Sequence, residues 1–420
     1  MTPSPPPHRQ TLLIFSQTFI PDPASVGQHM ADVAFEMARR GYRVRVYTSA
    51  RGYENPDVKY PPRETLKGVE ITRLPLASFG KKSLPLRVLG TAAFQIQCLL
   101  VGLFSPGVRA IFFSTSPPLV GVIASILHVL RGVPIAYWAM DLNPDQLIAL
   151  GKLKPTDFAA RFLEAANRLI LRESSLIVAL DRFMAGRLEQ RGPLRHKMLV
   201  MPPWPHEDHI EPGDGDESRR NGNPFRARHD LDGKFVIMYS GNHSPSNPLT
   251  TLLKAAAHLK DAPDIRFLFV GGGGGKREIE TAIKEQNLAN CVSLPYQPLS
   301  ELKYSLSAAD VHVVTLGDDM VGIIHPCKIY GAMAVARPIL YFGPRPSHIT
   351  DLLDEHDFGI AVSHGDVPGA IDAIKTFKET AQSRLRQMGD TARSVLQQSL
   401  SQQMLCAKFC DRLEQALFAL

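Results

Sequence analysis

The sequence predicts an α/β protein built from two doubly wound domains in tandem. Three observations carry that prediction: a length of 420 residues, short apolar runs alternating with amphipathic helical stretches, and one Pro-, Gly- and charge-rich break at residues 201–233. A chain this long exceeds one ordinary core, so two cores of roughly 200 residues each are the default.

The first domain is expected over residues 1–205, opening with a strand at Thr11–Phe15 and a helix from about Val26 to Arg40. Met30, Val33, Ala34 and Met37 recur at i, i+3, i+4 and i+7, which gives that helix one apolar face. Ser25 and Gln28 have the spacing of a capping box. Gly41 stops the helix, and YRVRVYT then alternates as a strand. Further strands are read at AIFFST (110–115), PIAYWAM (134–140) and SLIVAL (175–180), with helices between. The break is expected to act as a linker over 206–232. Alternation resumes from KFVIMYS to PILYFG in a second domain expected over 233–398. A closing helix over 399–420 carries the stripe Leu405, Phe409, Leu413 and Leu417 and is expected to pack back on the first domain. Strands and helices alternating in this way form parallel sheets covered on both faces. Ligands of such sheets bind outside the strand carboxyl ends, so a cleft between the domains is the expected site.

Composition narrows the class. Hydrophobic residues at 44% and charged residues at 21% describe a soluble globular protein. The first apolar run, Leu12 to Phe15, is too short for a signal peptide or a membrane span. Five cysteines without CxxC pairing suit a reduced, cytoplasmic protein, and Cys406 and Cys410 read as core residues. Residues 1–205 hold 25 Lys+Arg against 14 Asp+Glu, while the remainder holds 22 against 27. A basic first half suggests peripheral contact with an anionic membrane, and no nucleic-acid recognition motif accompanies it. The segment 78–104 reads either as a buried helix of the first domain or as an interfacial helix. Its polar stripe is Arg87, Thr91 and Gln95, preceded by Lys81 and Lys82. The HEDH run at 206–209 falls in the linker, so no metal site is expected there.

The stretch FLFVGGGGGKREIE (267–280) is strand, glycine loop and helix, an arrangement that holds phosphate. It matches neither common nucleotide motif. The dinucleotide pattern needs glycine at Lys276, and the P-loop needs glycine at Val270 and a hydroxyl at Arg277. What remains is close backbone approach to an anion beside a helix start. In the segment 316–343, Gly322 and His325 precede Pro326 at a helix start, with Lys328 in the first turn. A lysine there suits a diphosphate leaving group.

Four segments in order, YSGNHSPSNPLTTLLKAA (239–256), FLFVGGG (267–273), LPYQPLSEL (294–302) and HPCKIYGAMAVARPIL (325–340), resemble the donor half of retaining family 4 glycosyltransferases. The likeness is greatest to the branch of colanic-acid-type polysaccharide transferases. DPASVGQHMADVAFEMARRGYRVRVYTS (22–49) and YWAMDLNPD (137–145) resemble that family's acceptor-side segments. The resemblance implies a GT-B fold of two Rossmann-like domains with an interdomain cleft, and retaining transfer without a metal. It implies no cofactor beyond the nucleotide-sugar substrate, expected to be UDP-linked, and a glycan or polyprenyl-linked acceptor at the cytoplasmic face of a membrane. By the same resemblance Gly241, Asn242 and His243 lie near the diphosphate, Gly271, Gly272 and Gly273 shape the nucleotide pocket, and Pro295 and Tyr296 meet the base. Gly322, Ile323, Ile324, His325 and Lys328 wrap sugar and phosphates. Gly27, Gln28 and His29 lie on the acceptor side, and Asp141, His29 and Lys328 are the catalytic candidates. Two glutamates of the family pattern are absent, their positions being Ile323 and Gly331, so Asp318 and Asp319 are the nearest acids. A GT-B sugar-nucleotide 2-epimerase and a catalytically degenerate scaffold remain as alternatives.

Overall fold

Parallel pairing dominates both sheets of the computed structural model, which describes residues 10–418 apart from 23, 53–56, 77–83, 207–209 and 211–221. The chain divides into two units, residues 1–204 with 403–420, and residues 205–402.

The first unit runs β1 (Thr11–Phe15), α1 (Ser25–Arg39), β2 (Arg43–Ser49), β3 (Arg63–Leu66), β4 (Val69–Leu74), α2 (Leu84–Phe104), β5 (Val108–Ser114), α3 (Val120–Arg131) and β6 (Ile135–Trp138). It continues through α4 (Asp145–Ala149), α5 (Phe158–Glu173), β7 (Leu176–Ala179), α6 (Arg182–Glu189) and β8 (Met198–Val200). Its strands form one sheet in the order β3-β4-β2-β1-β5-β6-β7-β8. Leu12 to Phe15 of the central strand are fully buried, as a strand covered on both faces requires. The antiparallel edge pair β3–β4 turns at Lys67 and Gly68, both at positive φ, the geometry of a two-residue hairpin. Sequence reading misses this pair because RETL is polar and exposed, with no buried face to alternate against.

The second unit runs α7 (Pro224–Arg228), β9 (Phe235–Ser240), α8 (Thr250–His258), β10 (Ile265–Val270), α9 (Lys276–Glu285), β11 (Cys291–Leu294), α10 (Leu302–Ser307) and β12 (Val311–Thr315). Then follow α11 (Lys328–Ala334), β13 (Ile339–Phe342), α12 (His348–Glu355), β14 (Gly359–Val362), α13 (Val367–Glu379) and α14 (Gln382–Ser399). The sheet order is β11-β10-β9-β12-β13-β14, parallel throughout. Strand order reverses between β9 and β12, so the loops after those strands diverge and leave a crevice. The last helix, α15 (Gln402–Leu417), returns to the first unit. There Phe409 packs edge-on against Phe112 and tilted against Trp138, and Arg40 pairs with Asp411 and Glu414 at 2.7 and 2.8 Å.

Two local expectations are corrected. The Ser25–Gln28 capping box does not form: Ala24 is the N-cap, so Ser25 already lies inside the first turn. Within the stretch expected to be linker, residues 222–232 belong to the second unit: Asn223 caps α7, and Phe225 and Leu231 join the second core. Arg226 fixes this segment. Its guanidinium is buried and donates to the carbonyls of Ala308 (2.6 Å), Leu231 (2.7 Å) and Lys234 (2.7 Å), with Asp310 at 3.6 Å. Lys81, Lys82, the side chain of Arg87 and most of the HEDH run lie outside the described residues.

Arg226→Ala would strand buried carbonyls and the Asp310 carboxylate, and is expected to lower stability by about 3–5 kcal/mol. The reading is the urea midpoint of unfolding, and an unchanged midpoint would make residues 222–234 a mere tether.

Candidate functional site

In the second unit three strand-end loops meet around one lysine. After β9 the chain turns through Gly241, Asn242 and His243, after β10 through Gly271 to Gly275, and α11 begins with Lys328. The loops are hydrogen-bonded to one another. Gly241 donates to Val270 (2.9 Å), His243 to Gly272 (2.7 Å), and Gly275 to the His243 carbonyl (3.0 Å). Only glycine allows that approach. A Cβ on Gly271, where φ is +132°, would stand 2.0 Å from the Gly241 oxygen, and one on Gly241 would stand 2.7 Å from Lys328 Cε. The ring of Tyr296 lies where a Cβ on Gly272 would sit, at 2.9 Å, so the β11 loop joins the same wall.

The cluster offers donors. The amides of Asn242, Gly272, Gly273 and Gly274 bond to no partner among the described residues. Lys328 Nζ sits 5.6 Å from the Tyr239 ring centroid, and no carboxylate among the described residues pairs with it. Burial disfavours its charge and lowers its pKa to about 8. A half-buried cation beside free amides has the chemistry to hold an anion.

Other expected donor residues fall differently. Ile323 and Ile324 are buried, and both amides donate to the Met320 carbonyl at 3.0 and 3.4 Å, so neither offers a side chain or an N–H. The helix starts at Lys328 with Pro326 before it, and α11 is too short for a strong dipole, so the charge rests on the lysine. His243 is buried and acts as a strut: Nδ1 lies 3.2 Å from the Gly272 carbonyl, and desolvation lowers its pKa. His325 Nε2 lies 2.7 Å from Tyr330 Oη, and its ring centroid is 4.4 Å from that of His348. Gly322 turns the loop at φ +70°, and Pro295 is exposed beside Tyr296.

Sequence reasoning missed two residues here. Tyr239 supports Lys328 and donates to the Asn242 carbonyl at 2.7 Å, but looks like any strand-end aromatic in KFVIMYS. Lys276, to which the sequence reading gave no role, clamps the Gly271 and Leu294 carbonyls at 2.7 and 2.6 Å.

In the first unit Asp141 follows β6 at the carboxyl end of the sheet and borders a small cavity of about 40 Å³. Ser114, Tyr137, Asn143, Asn167 and Arg191 are among its other walls. Arg191 is held by Asp145 at 2.6 Å and Glu164 at 3.0 Å. The Asp141 side chain remains accessible, while the protein packed around it excludes enough water to raise its pKa to about 6. His29 is a correction. It is buried between Trp138 and Trp204, with Nδ1 2.8 Å from the Ser25 carbonyl and Nε2 2.8 Å from the Trp204 carbonyl. Both nitrogens serve the protein, so His29 braces α1 rather than orienting an acceptor. Gly27 packs against the backbone of Thr18 and Phe19, and Gln28 is half-buried on the next position of α1.

Residues 25–204 match the glycosyl transferase 4-like domain family, and residues 234–379 match the glycosyl transferases group 1 family. The chain belongs to the family 4 glycosyltransferases of the GT-B class. It is 26% identical to the probable glycosyltransferase WbjE of Pseudomonas aeruginosa, over 70% of this chain and 72% of that one. It is 24% identical to WcaI of Escherichia coli K12, a glycosyl transferase assigned to colanic acid biosynthesis, over 77% of this chain and 81% of that one. Among solved structures, HepE of Anabaena in complex with UDP and glucose superposes with a TM-score of 0.70 at 13% identity, covering 96% of this chain and 99% of that one. The protein is a glycosyltransferase, and these relatives favour transfer over epimerisation.

The glycines of this transferase divide by geometry. Gly271→Ala is expected to cost at least about 2 kcal/mol, whereas Gly274→Ala, with open space at its Cβ, should stay within about 0.5 kcal/mol. Equal melting temperatures for the two variants would refute the close-approach account.

Proposed function

We propose that this transferase moves a hexosyl unit from a UDP-sugar to a glycan or polyprenyl-linked acceptor in cell-surface polysaccharide synthesis, with retained anomeric configuration and without a metal. The observation that carries the donor half is Lys328, a half-buried cation without a carboxylate partner beside unbonded glycine-loop amides. UDP is the diphosphate in the HepE complex, and that supports the donor class.

The difficult step breaks the bond between sugar C1 and the β-phosphate oxygen. Charge grows on that oxygen as the bond lengthens. Lys328 and the amides of Asn242, Gly272 and Gly273 would stabilise it without reorganising, which is where fixed donors act most strongly. Tyr296 would give the base a face, and His325 and Gly322 would border the sugar. On the acceptor side Asp141, ionised above about pH 6, would accept a hydrogen bond from the incoming hydroxyl and fix its orientation. A polyprenyl-linked acceptor would have the enzyme act in the cytoplasm at the inner leaflet.

Two measurements test this. In a thermal-shift panel of UDP, GDP, ADP and NAD, stabilisation by UDP is expected, and a response to NAD alone would overturn the donor reading. Binding of the diphosphate favours protonated Lys328, so UDP affinity should be greatest below pH 8 and fall above it by up to about tenfold per pH unit. Lys328→Met should weaken binding and flatten that limb, and an unaltered profile would remove the lysine from the phosphate. For Asp141, kcat/KM should rise through about pH 6 as the carboxyl ionises, and Asp141→Asn should abolish the rise. UDP binding with no turnover on any acceptor would indicate a degenerate scaffold.

A further inference from the structure

The helical layer formed by α2, α3 and α5 presents an apolar outer face. α3 packs between the other two helices. A Cβ on Gly102 of α2 would stand 2.3 Å from Leu127 of α3, and one on Gly121 of α3 would stand 2.7 Å from Ile170 of α5. The inward positions of these helices, such as Phe94, Leu127 and Ile170, fill the core. Outward positions of such a layer are ordinarily polar. Here α2 exposes Leu89, Ile96 and Phe104, spaced by seven and eight residues and so on one side of the helix. Phe104 is 79% exposed, Val129 at the end of α3 is 69% exposed, and Phe158 of α5 is 86% exposed, with Phe162 stacked beside it.

We propose that this face docks on an anionic lipid bilayer. The charge around it selects that occupant. Lys152, Lys154, Arg161, Arg168 and Arg172 are exposed along α5 and the loop leading into it. Arg168 and Arg172 are paired with Glu164 and Glu173, Glu164 is also held by Arg191, and Asp157 accepts from the Lys154 amide, so Lys152, Lys154 and Arg161 carry the net positive charge of this rim. A second copy of the chain would bring like charge against this rim, whereas anionic headgroups bring the opposite sign. No helix among the described residues is long and apolar enough to cross a membrane, so the face would lie on the bilayer. The docking extends the reading of a lipid-linked acceptor, but binding to vesicles requires neither donor nor acceptor.

The test is co-sedimentation of the purified full chain with phosphatidylcholine vesicles, with and without about 30% phosphatidylglycerol. Binding to the anionic vesicles is expected to be at least about tenfold stronger and to weaken with added salt. The double variant Phe104→Gln/Phe158→Gln should lose about tenfold in partitioning with its melting temperature kept. A second double variant, Lys152→Glu/Lys154→Glu, should lose the preference for anionic lipid. Absence of wild-type binding, or variants that bind as the wild type does, would overturn the proposal. Concentration-dependent self-association that the Phe104→Gln/Phe158→Gln variant abolishes, without vesicle binding, would assign the face to a second copy. UDP stabilisation measured on the same samples separates failure of docking from failure of the donor reading.

Discussion

The constraint on which the donor side depends is a lysine without a counter-charge, held where only glycine backbone can surround it. Lys328 is enclosed enough that its pKa falls to about 8, so the free protein carries the cost of a partly desolvated cation. That cost persists because the neighbouring loops are mutually locked. Gly241 makes room for the lysine stem, Gly271 makes room for Gly241, and Lys276 ties the ends of β10 and β11 by their carbonyls. A site so arranged stabilises incoming negative charge without moving.

Topology explains why these loops, and no others, meet there. In a parallel sheet every strand points its carboxyl end to the same edge, and the loops on either side of an order reversal separate. In the second sheet the reversal falls between β9 and β12, next to the Gly241 turn. The first sheet repeats the logic between β1 and β5, and Asp141 stands at the same edge of its sheet, one strand further on. The fold therefore supplies a half-buried lysine beside glycine-loop amides in one unit and a carboxyl of raised pKa in the other.

Much of this was legible in the sequence, for a physical reason. Strands buried on both faces read as uninterrupted apolar runs, so IRFLFV and DVHVVTL announce β10 and β12. Exposed or very short strands carry no such signal, and RETL and GIAV were lost. At the site, Lys328 and Gly271 to Gly273 were readable because a lysine near a helix start and a glycine run are locally unusual. His29 misled because its surroundings are long-range: Trp204 lies 175 residues away, and no local pattern shows that its carbonyl takes the imidazole. Lys276 went unassigned because its partners are the ends of two strands, which no local motif reveals.

The vacated glutamate positions complete the picture. A carboxylate at position 331 would stand three residues after Lys328 on α11, one turn away and within ion-pair reach. Gly331 instead faces Leu306, and Ile323 is buried in the core. With Ile323 and Gly331 at these positions, neither side chain can offer Lys328 a carboxylate. In water an unpaired lysine is unremarkable, but a half-buried one favours a ligand that brings the missing charge. The departure from the pattern that the resemblance implies thus leaves Lys328 without a carboxylate partner among the described residues, which is the feature that sets this lysine apart.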